Sequence, residues 1–224
     1  MKNFRIIPVL DLLNSTAVHA IKGERAKYKP LKPIFINSSN PIKISKVLLE
    51  SFKFEEIYIA DLNSIMLNGS NLNQIKQIIN QTKAKILLDP GIRDKENIVQ
   101  IFNIPINKLI LGIETINNLD LIKKALDIYG PKNILISIDM YDKRVLSPIK
   151  EFKNGNPMDL TKVLGDLGVK DIILLDLYRV GQKMGGIPPI YIKIKNQFKG
   201  NILVGIGTAL YDGTLSKNQI EKMN

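Results

Sequence analysis

The sequence predicts an α/β barrel of the (β/α)8, TIM-barrel type, made of two similar halves and short of one β-α unit near its C-terminal end. Three observations predict it. Short runs of Ile, Leu and Val alternate with amphipathic helical segments along the chain. Two pairs of strands read alike across the midpoint. The second half has room for three strands where the first has four.

The strands come first. Residues 5–10, 57–60, 85–88, 108–111, 134–138, 171–175 and 201–204 are apolar runs, each ending in a polar or Gly-rich turn. They are too short for helices and apolar on both faces, as strands between a barrel interior and an outer helical layer must be. Between them, residues 42–52, 71–81, 95–102, 116–129, 159–167 and 189–198 carry apolar residues at helical spacing. Strand, helix, strand, helix with no break in composition argues for one parallel sheet in one domain, 1–224, with half-barrels of about 1–132 and 133–224.

The repeat chooses a barrel over an open sheet. Ile57-Tyr58-Ile59-Ala60-Asp61-Leu62 aligns with Ile172-Ile173-Leu174-Leu175-Asp176-Leu177, and Ile7-Pro8-Val9-Leu10-Asp11 with Leu135-Ile136-Ser137-Ile138-Asp139. Strands one and two thus resemble strands five and six. Asp61 to Gly91 and Asp176 to Gly207 are nearly equal lengths of chain, which makes the last strand the seventh. Its turn, Gly205-Ile206-Gly207-Thr208, nevertheless resembles the fourth, Gly112-Ile113-Glu114-Thr115. Either the barrel has a gap, or its last strand closes it with one unit deleted. A gap exposes strand edges that a loop or a neighbouring copy of the chain would have to cover.

Composition narrows function. The chain of 224 residues has a net charge of +11, no cysteine, one histidine and no tryptophan. It offers no thiol nucleophile, no Cys zinc site and no His-rich metal site. The basic balance raises anion capture and nucleic-acid binding. Dispersed lysines and only seven Phe and seven Tyr argue against nucleic acid. No stretch is apolar enough to span a membrane, and the N-terminus lacks a signal-peptide pattern, so a cytoplasmic location is expected. No metal, dinucleotide or other cofactor motif is present.

In such barrels the chemistry sits at the C-terminal strand ends. Four strands end in an aspartate: Asp11, Asp61, Asp139 and Asp176. Strands one and five face each other across the mouth, so Asp11 and Asp139 can divide general acid and base roles. Strand-end aspartates also cap turns, and Asp61 and Asp176 are candidates for either task. Four Gly-rich turns could approach a phosphate: Gly91 with Arg93, Gly112 with Thr115, Gly181 within 180–186, and Gly205, Gly207 and Thr208.

These residues resemble the two barrels of histidine biosynthesis, a phosphoribosyl-ribotide isomerase and the cyclase subunit of a glutamine-dependent synthase. The similarity rests on Ile7-Pro8-Val9-Leu10-Asp11-Leu12, on Val18-His19-Ala20-Ile21-Lys22-Gly23, on Gly91-Ile92-Arg93, on Asp139 with Arg144-Val145, and on Gly207-Thr208-Ala209-Leu210-Tyr211-Asp212-Gly213. It implies a cofactor-free Amadori rearrangement of a small phosphorylated substrate, with Asp11 and Asp139 as the acid/base pair and Lys22 on the substrate. It also identifies the chain as a diverged, archaeal-type paralogue. Such a paralogue could take a different anionic substrate, with a link to one-carbon cofactor metabolism, or bind a ligand without turnover.

The chain departs from the family where Asp89-Pro90 replaces two glycines, where Glu114 replaces a small residue, and where Val180-Gly181-Gln182 replaces an Asp-Gly-Thr turn. Carboxylates repel phosphate and proline lacks an N–H, so one of two family phosphate sites is expected to be lost or changed. His19 stands where the isomerase often has Arg, and reads either as a substrate contact or as a structural residue. The basic loop 22–33 either covers the site and supplies cations or is a solvated surface loop.

Overall fold

The computed structural model describes residues 4–182, 187–216 and 219. Seven parallel strands form the barrel: β1 (Arg5–Leu13), β2 (Glu56–Asp61), β3 (Lys85–Asp89), β4 (Lys108–Gly112), β5 (Ile134–Tyr141), β6 (Asp171–Asp176) and β7 (Asn201–Ile206). Each pairs with the next, and β7 returns to β1 with Arg5 opposite Leu203 and Pro8 opposite Ile206. The last strand therefore closes the ring, and the gapped alternative is excluded. The open edge expected to need a neighbouring copy does not exist, because both sides of β1 are paired.

Strand parity sorts the side chains. Ile7, Tyr58, Leu87, Ile110, Leu135, Ile173 and Leu203, one from each strand, meet inside the barrel. Their neighbours Ile6, Ile57, Ile59, Ile86, Leu109, Ile134, Ile172 and Ile202 face outward and pack under the helices. Closing seven strands brings β7 very near β1. A Cβ on Gly205 would stand 2.7 Å from Val9 Cγ2 and 3.0 Å from Leu175 Cδ2, so only glycine fits there.

Six helices cover the ring: α1 (Pro41–Glu50), α2 (Leu72–Thr82), α3 (Lys95–Phe102), α4 (Asp120–Tyr129), α5 (Pro157–Asp166) and α6 (Pro189–Gln197). After β7 comes a short helical turn, Thr208–Tyr211. α1 and α5 begin one and two residues earlier than periodicity alone suggests. Their starts are fixed by Asn40-Pro41 and Asn156-Pro157: the Asn side chain accepts N–H groups of the first turn, and proline gives up an N–H that would have no partner.

The repeat proves deeper than the strand ends indicate. Asn40-Pro41-Ile42-Lys43-Ile44-Ser45-Lys46-Val47-Leu48 matches Asn156-Pro157-Met158-Asp159-Leu160-Thr161-Lys162-Val163-Leu164, with Asn, Pro, Lys, Val and Leu identical. Strands β1 and β5 also both overrun the barrel into antiparallel hairpins, β1 with Thr16–His19 and β5 with Arg144–Val145. Each hairpin turns on two residues of positive φ, Asn14-Ser15 and Asp142-Lys143. That is the twist-matched two-residue turn. It also explains why β1 and β5 are longer than their apolar runs.

Candidate active site at the barrel mouth

The C-terminal strand ends surround a cavity of about 390 Å³, within the range of small-molecule sites. Inward parity delivers Asp11 from β1, Asp89 from β3 and Asp139 from β5. Glu114 comes from the turn after β4, and Asp176 from the end of β6. The Tyr58 side chain rises from inside the barrel and its hydroxyl donates to Asp89 Oδ2 at 3.0 Å.

The basic loop closes over this floor. Its 3-10 turn, Arg25–Lys27, carries Arg25 across the mouth, where Nη2 sits 2.7 Å from Glu114 Oε1. Arg25 and Tyr28 both line the cavity. The covering role is therefore the correct reading of the loop, with Arg25 as its cation.

Burial controls the acids. Desolvation raises Asp11 to about 7; Arg25 draws it down and Asp89 pushes it up. Desolvation likewise raises Asp89 to about 6, with the Gly91 N–H opposing and Glu114 adding to the rise. Asp139 lies well above the usual carboxylate range because it is buried and faces Glu114 and Asp89, against a hydrogen bond from the Ser137 hydroxyl at 3.1 Å. Burial also raises Asp176, which accepts the backbone N–H groups of Tyr178 and Asp142. Its buried Oδ1 has no hydrogen-bond partner among the described residues.

The expected site residues divide cleanly. Asp11, Asp139, Asp176, Gly181, Gly205, Gly207 and Thr208 line the cavity. His19 joins them, its Nε2 3.1 Å from Thr208 Oγ1, so the one histidine both faces the cavity and braces the last turn. Of the 180–186 turn, residues 183–186 fall outside the described residues.

Six others lie outside the cavity lining. Lys22 lies over the Tyr178 ring, 5.6 Å from its centroid, outside the cavity lining. Asp61 is fully buried and accepts from Ser64 N, Ser70 Oγ, Asn71 N and Asn71 Nδ2. Gly91 turns with φ +67°, and a Cβ there would meet Ile65 Cα at 2.8 Å; its N–H already serves Asp89. Arg93 ties the carbonyls of Gly91 and Ile65 together at 2.8 and 2.6 Å. The Gly112 carbonyl accepts from both Thr115 N and Thr115 Oγ1. Thr115 Oγ1 also reaches Ile92 O.

Sequence reasoning did not place Arg25, Tyr28 or Tyr58 in the cavity. The parity of Ile57-Tyr58-Ile59-Ala60 marks Tyr58 as inward once Asp61 is known to end the strand. Nothing local marks Arg25, whose partner is 89 residues away.

A family model for histidine biosynthesis proteins matches residues 5–213. The chain belongs to the histidine biosynthesis protein family. Within it, an uncharacterized protein of Methanocaldococcus jannaschii is 34% identical, over 91% of this chain and 82% of its own. Two relatives are named as isomerases of an imidazole-4-carboxamide bearing two 5-phosphoribosyl groups. The one from Leuconostoc mesenteroides is 26% identical over 98% of this chain and 99% of its own; the one from Lactococcus lactis is 29% identical over 91% and 83%. Among the described residues, no helix of this family member is long and apolar enough to cross a membrane.

Proposed function

We propose that this barrel is an aldose–ketose isomerase of the Amadori type, acting on a small phosphorylated glycosylamine. The observation that carries the reading is the pairing of Asp11 and Asp139, from opposite strands of the repeat, in one cavity where burial raises both acids. Two acids whose environments separate them can take opposite roles at one pH. In this assignment Asp139, raised well above the usual carboxylate range by its burial, is the acid. Asp11, near 7, is partly ionised at neutral pH and is the base.

In this reading Asp139 protonates the sugar ring oxygen as the C1–O bond breaks. Asp11 then removes the C2 proton. The freed electron pair forms the C1–C2 double bond of an enaminol as the C1–nitrogen double bond closes onto nitrogen; C1 then takes a proton from Asp11 while the C2 hydroxyl gives its proton to Asp139 and becomes the ketone, so one carbon is reduced and its neighbour oxidised within one molecule. The phosphate lies at the turn after β7, where Gly205, Gly207 and Thr208 line the cavity. Asp89, Pro90 and Glu114 favour a substrate other than the doubly phosphoribosylated one of the named relatives.

Asp11→Asn and Asp139→Asn should each lower turnover by about 10²–10⁴ while the far-ultraviolet circular dichroism stays that of the wild type. Retained turnover in both variants would end the mechanism. Complementation of a strain lacking the histidine-pathway isomerase tests the substrate: growth would return the protein to that step.

A further inference from the structure

The basic loop 22–33 holds five cations, and the structure divides them. Lys22 lies over the Tyr178 ring, Arg25 is bound to Glu114 and Lys27 to Glu24. Lys29 and Lys32 have no acid partner among the described residues, and neither lines the active-site cavity. Both line a second cavity, of about 280 Å³, beside the turn after β7. The two cavities share His19, Leu31, Thr208 and Tyr211, so the His19–Thr208 contact stands where they meet. Gly205, Gly207 and the acids of the active site line only the first.

The backbone that carries the two lysines is pinned. Lys29 lies opposite His19 in an antiparallel pairing. Leu31 N–H donates to the Ala17 carbonyl at 2.8 Å and Ile34 N–H to the Tyr211 carbonyl at 2.9 Å, so Lys32 sits between two anchors. Leu31 and Pro33 on either side of it are buried. Folding has already ordered this segment, and a ligand held by it has only the lysine side chains left to order.

Charge selects the ligand. Lys29 and Lys32 stand against one carboxylate in the lining, Asp212, whose Oδ1 accepts from Thr214 N and Thr214 Oγ1. With the Nε2 proton on His19, the Thr208 hydroxyl keeps its own proton to donate. Two ammonium groups and a hydroxyl around one concave space suit a compact oxyanion, whose hydrogen bonds to them are charge-assisted.

We propose that this second cavity binds a phosphate group, held by Lys29 and Lys32 on the loop and by Thr208 on the turn after β7. A phosphate there joins the loop that carries Arg25 to the turn that borders the acids, and so fixes the cover of the active site from outside it. The subsite uses neither Asp11 nor Asp139 and does not depend on the isomerase reading. Its occupant is a free phosphate ion or the second phosphate of a ligand whose first lies beside Gly205 and Gly207; the chemistry is the same for both.

Titration with inorganic phosphate, followed by backbone amide NMR at pH 7 and constant ionic strength, tests it. The amides of Lys29, Leu31, Lys32 and Thr208 should shift together with one dissociation constant. Lys29→Gln combined with Lys32→Gln should raise that constant about tenfold or more. Both side chains are exposed, so the remaining amide spectrum should stay that of the wild type. Three results overturn the proposal: no shift in these amides, the same shifts on adding sodium chloride, or a constant that the double substitution leaves unchanged. Fructose 1,6-bisphosphate separates the two sources. Binding at least tenfold tighter than phosphate, with Gly207 and Lys32 shifting together, assigns the subsite to a second phosphate of one ligand; binding no tighter assigns it to the free ion. None of these results alters the acid/base reading, which Asp11→Asn and Asp139→Asn decide.

Discussion

Asp61 at the end of β2 and Asp176 at the end of β6 occupy matching places in the repeat, and the chain treats them in opposite ways. Asp61 is sealed from solvent by Ser64, Ser70 and Asn71, and its network continues through Asn63 to the β1 hairpin at Asn14. Asp176 lines the cavity and accepts two backbone N–H groups, and its buried Oδ1 has no hydrogen-bond partner among the described residues. The same contrast separates the turns. After β3 and β4 the N–H groups and the Arg93 guanidinium are spent on the scaffold, whereas Gly205, Gly207 and Thr208 after β7 line the cavity. A two-fold backbone therefore carries a one-sided site. What decides whether a strand-end acid is scaffold or chemistry is the supply of local donors, not its place in the repeat.

The largest effect expected from this difference is on stability. Asp61→Ala removes the acceptor of four hydrogen bonds in a buried network. It should cost about 3–5 kcal/mol, read as a lower midpoint in urea denaturation at unchanged slope. Asp176→Asn replaces a carboxylate that burial already penalises. It should leave the midpoint close to wild type while weakening ligand binding. Equal losses in the two variants would break the comparison.

The next effect is in pH dependence. Asp89 rises from 3.8 unfolded to about 6 in the folded chain. Between these values the folded protein binds the extra proton, so this group's contribution to stability is present below about pH 4 and declines as pH rises, levelling off above about 6. The two-unit span corresponds to roughly 3 kcal/mol. Asp89→Asn carries no proton to lose. Its stability relative to wild type should climb between pH 4 and 6 and then stay flat. A difference that is constant across this range would mean that Asp89 is not raised by its burial.

How far the sequence reveals this asymmetry depends on the range of each interaction. The strand–helix alternation, the short second half and the acids Asp11 and Asp139 are local or repeated patterns, and a linear reading finds them. The closure of β7 on β1 could be posed but not decided, because it depends on whether Gly205 can lie against Val9 and Leu175. Lys22 is read as a substrate contact from the family resemblance, and Arg93 from its place in a Gly-rich turn. The structure sets Lys22 over the ring of Tyr178 and Arg93 on the carbonyl of Ile65, contacts that no spacing rule reports. The Asn-Pro helix starts are a different case: the signal at Asn40-Pro41 and Asn156-Pro157 is local and the capping rule reads it directly.

The smallest effect concerns Arg25, the residue that joins the two behaviours by reaching from the β1 loop to the β4 turn. Its bond to Glu114 is partly open to solvent, with side-chain exposures of 32% and 23%. Arg25→Ala should therefore change stability by about 1 kcal/mol or less. Its electrostatic reach is longer, since it also lowers Asp11, Asp89 and Asp139. Without it, Asp11 loses the charge that restrains it near 7, and its titration should move upward by roughly one pH unit. Carbon-13 NMR of the Asp11 carboxyl group reads this directly, with no substrate needed. A one-unit rise with an intact fold would make Arg25 the group that sets the base. An unmoved titration would mean that the loop covers the acids without acting on them, and the one-sided site would then owe its acid/base separation to burial alone.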